Sequence, residues 1–137
     1  MSEAKPAAAA QLSSISPCFA VPDVVAAAEY YRDKLGFQIL GYFLDPPVYA
    51  IVRRDSVIIH FGRIETCVPS SPNVLRREEG IDAYVWVDDV DALLAELLKR
   101  GANIADPPAK RVYGCYEMVL EDNNGLRIAF GMNIAES

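Results

Sequence analysis

The stretch Ile81–Gly101, IDAYVWVDDVDALLAELLKRG, decides the fold. It opens as a strand, with Tyr84 and Trp86 alternating against Ala83, Val85 and Val87, so that side chains go to two faces at period two. Asp88 and Asp89 then stand where a helix N-cap is expected. Leu93, Leu94, Leu97 and Leu98 follow at helical spacing, and Lys99, Arg100 and Gly101 form a basic C-terminus stopped by glycine. The chain contains this pattern twice. Ser16–Gly36 reads as a strand (Cys18, Phe19, Ala20, Val21), then Asp23, then a helix carrying Val25, Ala28, Tyr31 and Leu35, then Gly36. Asp23-Val24 aligns with Asp89-Val90, and Ala26 with Ala92. Two copies of one supersecondary unit therefore share a core.

Working outward, each helix is followed by three short strands. In the first unit these are Phe37–Phe43, Val48–Val52 and Val57–Phe61, with Asp45-Pro46-Pro47 and Arg53-Arg54-Asp55-Ser56 as links. In the second they are Ala102–Ile104, Tyr116–Leu120 and Leu126–Phe130. Asp106-Pro107-Pro108 serves there as the counterpart turn, and Asp122-Asn123-Asn124-Gly125 closes a hairpin. The organisation expected is a flexible arm over residues 1–14 and a single domain over 15–137. That domain holds module 1 (15–64), a linker (65–80) with room for a short helix, and module 2 (81–132). Two βαβββ modules make an α+β fold.

Composition excludes some classes. With 137 residues, 52% of them hydrophobic, the chain has enough apolar material for one ordinary core. No apolar run approaches the roughly 20 residues that span a bilayer, and Ala7–Ala10 is too short for a secretory signal. A net charge of −6 argues against nucleic acid, which needs a basic surface, and is compatible with a cationic ligand. Cys18, Cys67 and Cys115 are odd in number and lack metal spacing, which reads as reduced thiols in a cytoplasm. Cys115 has no histidine neighbour in sequence and reads as a buried thiol. Asp88, Asp89 and Asp91 read as helix capping, and Arg53 and Arg54 as a solvated hairpin turn. No Ser–His–Asp order, phosphate-binding glycine loop or zinc spacing is present.

Three segments carry a resemblance. They are Asp23…Tyr30-Tyr31-Arg32-Asp33-Lys34-Leu35-Gly36-Phe37, Trp86-Val87-Asp88-Asp89-Val90-Asp91, and Tyr113-Gly114…Glu117…Asp122-Asn123-Asn124-Gly125-Leu126…Phe130. In this order, with a repeat, they resemble the vicinal oxygen chelate superfamily of glyoxalase I, extradiol dioxygenases and the fosfomycin- and bleomycin-resistance proteins. The likeness runs over about residues 15–132, and Tyr84–Trp86 with Tyr113-Gly114 is most similar to the bleomycin-resistance branch. The resemblance implies that each module curls its strands into half of a cup-shaped mixed sheet, and that members often form homodimers.

It also implies where a divalent ion sits in the metal-dependent members, held by about three or four converging N or O ligands. The matching positions are Ser16, with Cys18 two residues on, then Asp82, with Tyr84 next, then Ile58 or His60, and Ala129. Ala129 cannot ligate, and His60 is the only histidine. No metal and no cofactor are therefore expected. His60 reads either as a polar contact or lone acid/base, or as a hydrogen-bonded histidine on a half-buried strand.

The remaining cup face is aromatic and polar. The ligand-binding candidates are Trp86, Tyr84, His60, Asp82, Tyr49, Tyr113, Tyr116 and Cys18, with Phe43 on the rim and Asp45 and Glu117 as further charges. Such a lining suits a flat or cationic ligand. The bland alternative makes these aromatics ordinary sheet formers and dimer filler. The function expected is a metal-free, bleomycin-resistance-like binder, an antibiotic-resistance role, sequestering a small molecule in a groove between two subunits. The alternative is a glyoxalase- or dioxygenase-type enzyme with an atypical metal site around His60 and Asp82.

Overall fold

Asp23 and Asp89 each start a helix, and they do so in the same way. Asp23 Oδ1 accepts from the backbone N–H groups of Val25 and Ala26 at 3.0 and 3.1 Å, and Asp89 Oδ1 accepts from Ala92 at 3.0 Å. Gly36 and Gly101 end the two helices in left-handed conformations, with φ of 74° and 83°. In the computed structural model, which describes residues 9–64 and 80–134, the repeat read from the sequence is a repeat of structure. Module 1 runs β1 (Cys18–Val21), α1 (Val24–Leu35), β2 (Gln38–Phe43), β3 (Tyr49–Arg54) and β4 (Val57–Arg63). Module 2 runs β5 (Ala83–Trp86), α2 (Val90–Arg100), β6 (Ile104–Lys110), β7 (Cys115–Glu121) and β8 (Arg127–Asn133). Most of the expected linker, Cys67 with it, lies outside the described residues, as do residues 1–8 of the arm.

Each module forms its own four-stranded mixed sheet, in the order β1-β4-β3-β2 and β5-β8-β7-β6. The strands do not join into one sheet, and neither sheet closes. In each, the first strand pairs parallel to the last and the other pairings are antiparallel.

The two sheets turn their helix-bearing faces into one core. Phe19, Tyr31, Phe37 and Phe61 of module 1 belong to the same buried cluster as Leu97, Met118, Leu120 and Ile128 of module 2. Tyr31 packs edge-on against Phe37 and Phe61, and its hydroxyl donates to Asp122 Oδ2 at 2.7 Å across the module boundary. Burial pushes Asp122 up, Tyr31 and the Asn124 and Leu126 amides pull it down, and the direction is upward. Cys115, Val119 and Ala129 are buried as well, but outside this cluster. By alternation they lie on the opposite face of the second sheet.

Two readings of the chain are corrected here. Asp106-Pro107-Pro108 is not a turn equivalent to Asp45-Pro46-Pro47. It lies inside β6, where the register shifts on both sides of Asp106. β6 is the edge of its sheet, and an edge strand accepts prolines because their missing N–H groups are not needed in the ladder. Arg54 is not a solvated turn residue. It ends β3 and clamps α2, with Nη2 on Glu96 Oε1 at 2.8 Å, while Nη1 reaches Glu96 Oε2 at 3.1 Å and the Leu35 carbonyl at 2.8 Å.

Candidate functional site

With both helix-side faces committed to the core, the opposite face of each sheet is left to carry chemistry. On the first sheet, the parallel register sets Cys18 beside His60, and the β3–β4 register sets Tyr49 opposite Gly62. Tyr49 Oη lies 2.8 Å from His60 Nδ1 and 3.4 Å from Cys18 Sγ, and the Tyr49 and His60 rings meet edge to face at 5.5 Å. Phe43 packs on the same tyrosine with ring centres 6.0 Å apart. The neighbouring thiol, more than burial, holds the Tyr49 hydroxyl above its ordinary pKa, so it stays protonated at neutral pH. Three of the sequence candidates therefore form one hydrogen-bonded chain.

On the second sheet the centre is Glu117 of β7. Tyr84 Oη donates to its Oε1 at 2.7 Å, Tyr113 Oη donates to Oε2 at 2.5 Å, and Arg111 Nε stands 3.3 Å from the same Oε2. Burial works to raise the Glu117 pKa, since the side chain is only 9% exposed, but the two phenols and Arg111 outweigh it and the net direction is downward. At neutral pH this carboxylate is ionised. Tyr84, half-buried and hydrogen-bonded to an anion, is pushed well above the ordinary phenol range. Trp86 lies against Tyr84 with ring centres 4.9 Å apart, and Trp86 and Tyr113 stand 59% and 64% exposed.

Gly131 makes this arrangement possible. It pairs with Trp86 on one side and with Glu117 on the other, so the Tyr84 ring passes over it to reach β7. A Cβ at position 131 would fall 2.0 Å from Tyr84 Oη. The sequence reading counted Glu117 only as a nearby charge and missed its role as hub. A glycine inside the last strand was the available signal, because such glycines often mark close approach.

The eight sequence candidates are not gathered into one pocket. Cys18, Tyr49 and His60 cluster on one sheet, and Tyr84, Trp86 and Tyr113 on the other. Because the helix-side faces share the core, these two clusters point away from it. Tyr116 joins neither. It alternates with Glu117 onto the helix side, where its hydroxyl donates to Asp91 Oδ1 at 2.7 Å. Asp82 precedes β5 and turns its carboxylate to the backbone. Its Oδ2 accepts from Arg127 N at 2.9 Å, its Oδ1 is buried with no hydrogen-bond partner among the described residues, and its charge acts on Tyr31 and Asp122. A cavity of about 330 Å³ lies between the modules, lined by Leu35, Phe37 and Val57 of module 1 and by Leu93, Phe130 and, alone among the candidates, Trp86 of module 2. Of its charged lining residues, Arg54 and Glu96 pair with each other, and Asp55, Asp88 and Asp89 stand beside them.

The donor set does not fit a cup-floor metal. The register makes Tyr84 and Ala129 the second-module equivalents of Cys18 and His60. Ala129 offers nothing, and the Tyr84 hydroxyl stays protonated on Glu117. Among the described residues no group of three or more His, Cys, Asp or Glu side chains converges for a metal ion.

A family model for the Glyoxalase/Bleomycin resistance protein/Dioxygenase superfamily matches residues 12–130. The chain belongs to that superfamily. Among solved structures of the superfamily fold, it is similar to the bleomycin-binding protein from bleomycin-producing Streptomyces verticillus, complexed with copper(II)-bleomycin. That match has 22% identity and a TM-score of 0.66, and covers 93% of this chain and 100% of that one. It is similar also to TioX from Micromonospora sp. ML1, at 21% identity and TM-score 0.69, with 89% and 99% covered. A bleomycin resistance determinant encoded on the transposon Tn5 matches at 17% identity and TM-score 0.71, with 89% and 98% covered. At these identities the likeness is one of fold. No curated protein matches the sequence. No helix among the described residues is long and apolar enough to cross a membrane.

Proposed function

We propose that this superfamily member is a bleomycin-resistance-like binding protein that sequesters a cationic, aromatic small molecule without a metal and without turnover. The observation that carries this reading is the ionised Glu117 carboxylate, held by the hydroxyls of Tyr113 and Tyr84 beside the exposed rings of Tyr113 and Trp86. Exposed rings offer faces for stacking and cation–π contact. A buried anion behind them strengthens the attraction for a cation seated on those faces, since its field is little screened by water. The fold likeness to a protein complexed with copper(II)-bleomycin supports the ligand class.

One sheet face alone encloses no ligand, and enclosure is what binding sites for small molecules generally require. We place the site in a groove completed by a second copy of the chain, which sets the Tyr49–His60 face of one subunit against the Glu117 face of the other. Phe43, Leu44, Val112 and Tyr113 support this, because they are large apolar residues left exposed beside those faces.

Trp86, the only tryptophan, reports the test. Bleomycin and simple cationic aromatics are titrated against its fluorescence, with sedimentation to read subunit number. Saturable quenching is expected, weakened about tenfold in Glu117→Gln, which corresponds to ~1.4 kcal/mol. Equal affinity in wild type and Glu117→Gln would remove the charge argument. A monomer that binds with full affinity would remove the shared groove.

A further inference from the structure

The first sheet, one wall of the proposed groove, carries a thiol whose chemistry the binding reading does not use. We propose that Cys18 is a nucleophile whose proton leaves through Tyr49 to His60, and that this face captures soft carbon electrophiles, activated alkenes in particular, as thioethers.

Geometry is the ground for it. Cys18 is exposed at the start of β1, where a reagent reaches it directly. Its sulfur lies 3.4 Å from Tyr49 Oη, and that oxygen lies 2.8 Å from His60 Nδ1. With His60 in the tautomer that leaves Nδ1 unprotonated, the imidazole nitrogen accepts from the phenol, and the phenol oxygen has a lone pair for the thiol proton. The phenol is held in place from two sides, by Phe43 and by the edge-on His60 ring. Two protons shifting one place each convert thiol and neutral imidazole into thiolate and imidazolium, with no heavy atom moving. A thiolate is the reactive form, and a neighbouring base that takes its proton is the usual way proteins produce one.

The balance closes without an oxidant or reductant. The Cys18 thiol proton passes to Tyr49 Oη as the Tyr49 proton passes to His60 Nδ1. The sulfur then bonds to the β-carbon of an α,β-unsaturated carbonyl compound, and the π pair moves to the α-carbon and carbonyl oxygen as an enolate. The enolate takes a proton back from the same chain, which leaves His60 neutral and Cys18 as a thioether.

The test uses the full chain at neutral pH with limiting acrylamide, and peptide mass spectrometry locates and times the adduct at Cys18. Wild type is expected to react about tenfold faster than Tyr49→Phe and His60→Gln, a modest share of what a positioned base supplies. It should also react faster than the same thiol in the urea-unfolded chain. Rates in both variants within twofold of wild type would overturn the proposal, as would a folded rate no higher than the unfolded one. If a variant does not fold, the wild-type rate in mixtures of H₂O and D₂O decides instead. A bowed decline with deuterium fraction supports two protons in flight, and a flat response refutes it. The result is separable from the binding reading, because the adduct is read by mass at Cys18 and ligand binding by quenching of Trp86, so either can fail while the other stands.

Discussion

Replacing Gly131 by Ala is the most direct test of how the second face is built. Its backbone is ordinary strand, absent from the positive-φ positions, and by intrinsic preference alanine there is the better residue by about 0.5–1 kcal/mol. The reason to expect harm is steric. The new Cβ would stand 2.0 Å from Tyr84 Oη, 2.7 Å from Cζ and 3.0 Å from Cε1. No small adjustment of a rigid ring clears three such contacts, so Tyr84 must swing away and release Glu117. A hydrogen bond to a charged, largely buried acceptor contributes about 1.5–3 kcal/mol. Offset by the propensity gain, a net loss of about 1–2 kcal/mol follows. Urea unfolding, read as a midpoint shift at constant slope, measures it. The same substitution in a Tyr84→Ala background should be neutral or stabilising, because nothing is left to displace. Equal losses in the two backgrounds would refute the reasoning, as would no loss in either. Since Tyr84 also supports the Trp86 ring, Gly131→Ala should change the Trp86 emission even where the protein stays folded.

Three further outcomes follow. Tyr31→Phe deprives the buried Asp122 of its 2.7 Å donor and should cost about 1–3 kcal/mol in urea unfolding. Glu96→Ala opens the clamp to Arg54 and also frees Arg100; with both partners of the clamp about a third exposed, the cost should be ~1 kcal/mol at low salt and smaller in 1 M NaCl. Glu117 has a depressed folded pKa, so its contribution is fully present above the unfolded value of about 4.3 and is lost as pH falls through the folded one. Thermal unfolding of Glu117→Gln should therefore decline less steeply than wild type below about pH 4, and parallel curves would contradict the assignment.

What was legible in the chain was whatever depends on neighbours in sequence. Asp23 and Asp89, with Gly36 and Gly101, mark both helices because caps are made within one turn. The alternation of Tyr84 and Trp86 held because β5 is regular. Contacts across the fold were harder to see. Asp82 continues the same period in sequence, yet it precedes the strand and takes the Arg127 amide instead. Tyr116 resembles its aromatic neighbours by composition, but one step of pleat sends it to Asp91 on the helix side. Arg54 sits one residue from a hairpin turn, and only the packing of α2 on module 1 reveals its partner. The Pro-Pro pairs are identical in sequence but fall at different places, Pro46-Pro47 in the turn after β2 and Pro107-Pro108 inside β6, although both strands are sheet edges.

The repeat also explains how one scaffold presents faces of opposite electrical sign. The equivalent positions are Cys18 and His60 in module 1 and Tyr84 and Ala129 in module 2. A cup floor filled by a divalent cation attracts anionic substrates and polarises their oxygens. Here Ala129 removes a donor, and the Tyr84 hydroxyl that remains is turned aside, over Gly131, to hold a carboxylate in its ionised form. The face then carries an ionised carboxylate, with Arg111 as its countercharge on the rim, where metal-dependent members would hold a cation. Under the proposed reading, a cationic ligand meets this carboxylate together with the rings of Tyr113 and Trp86. A small side chain at 129 and none at 131 are thus what give this face its carboxylate hub, and the proposed selectivity for cations rests on those two positions.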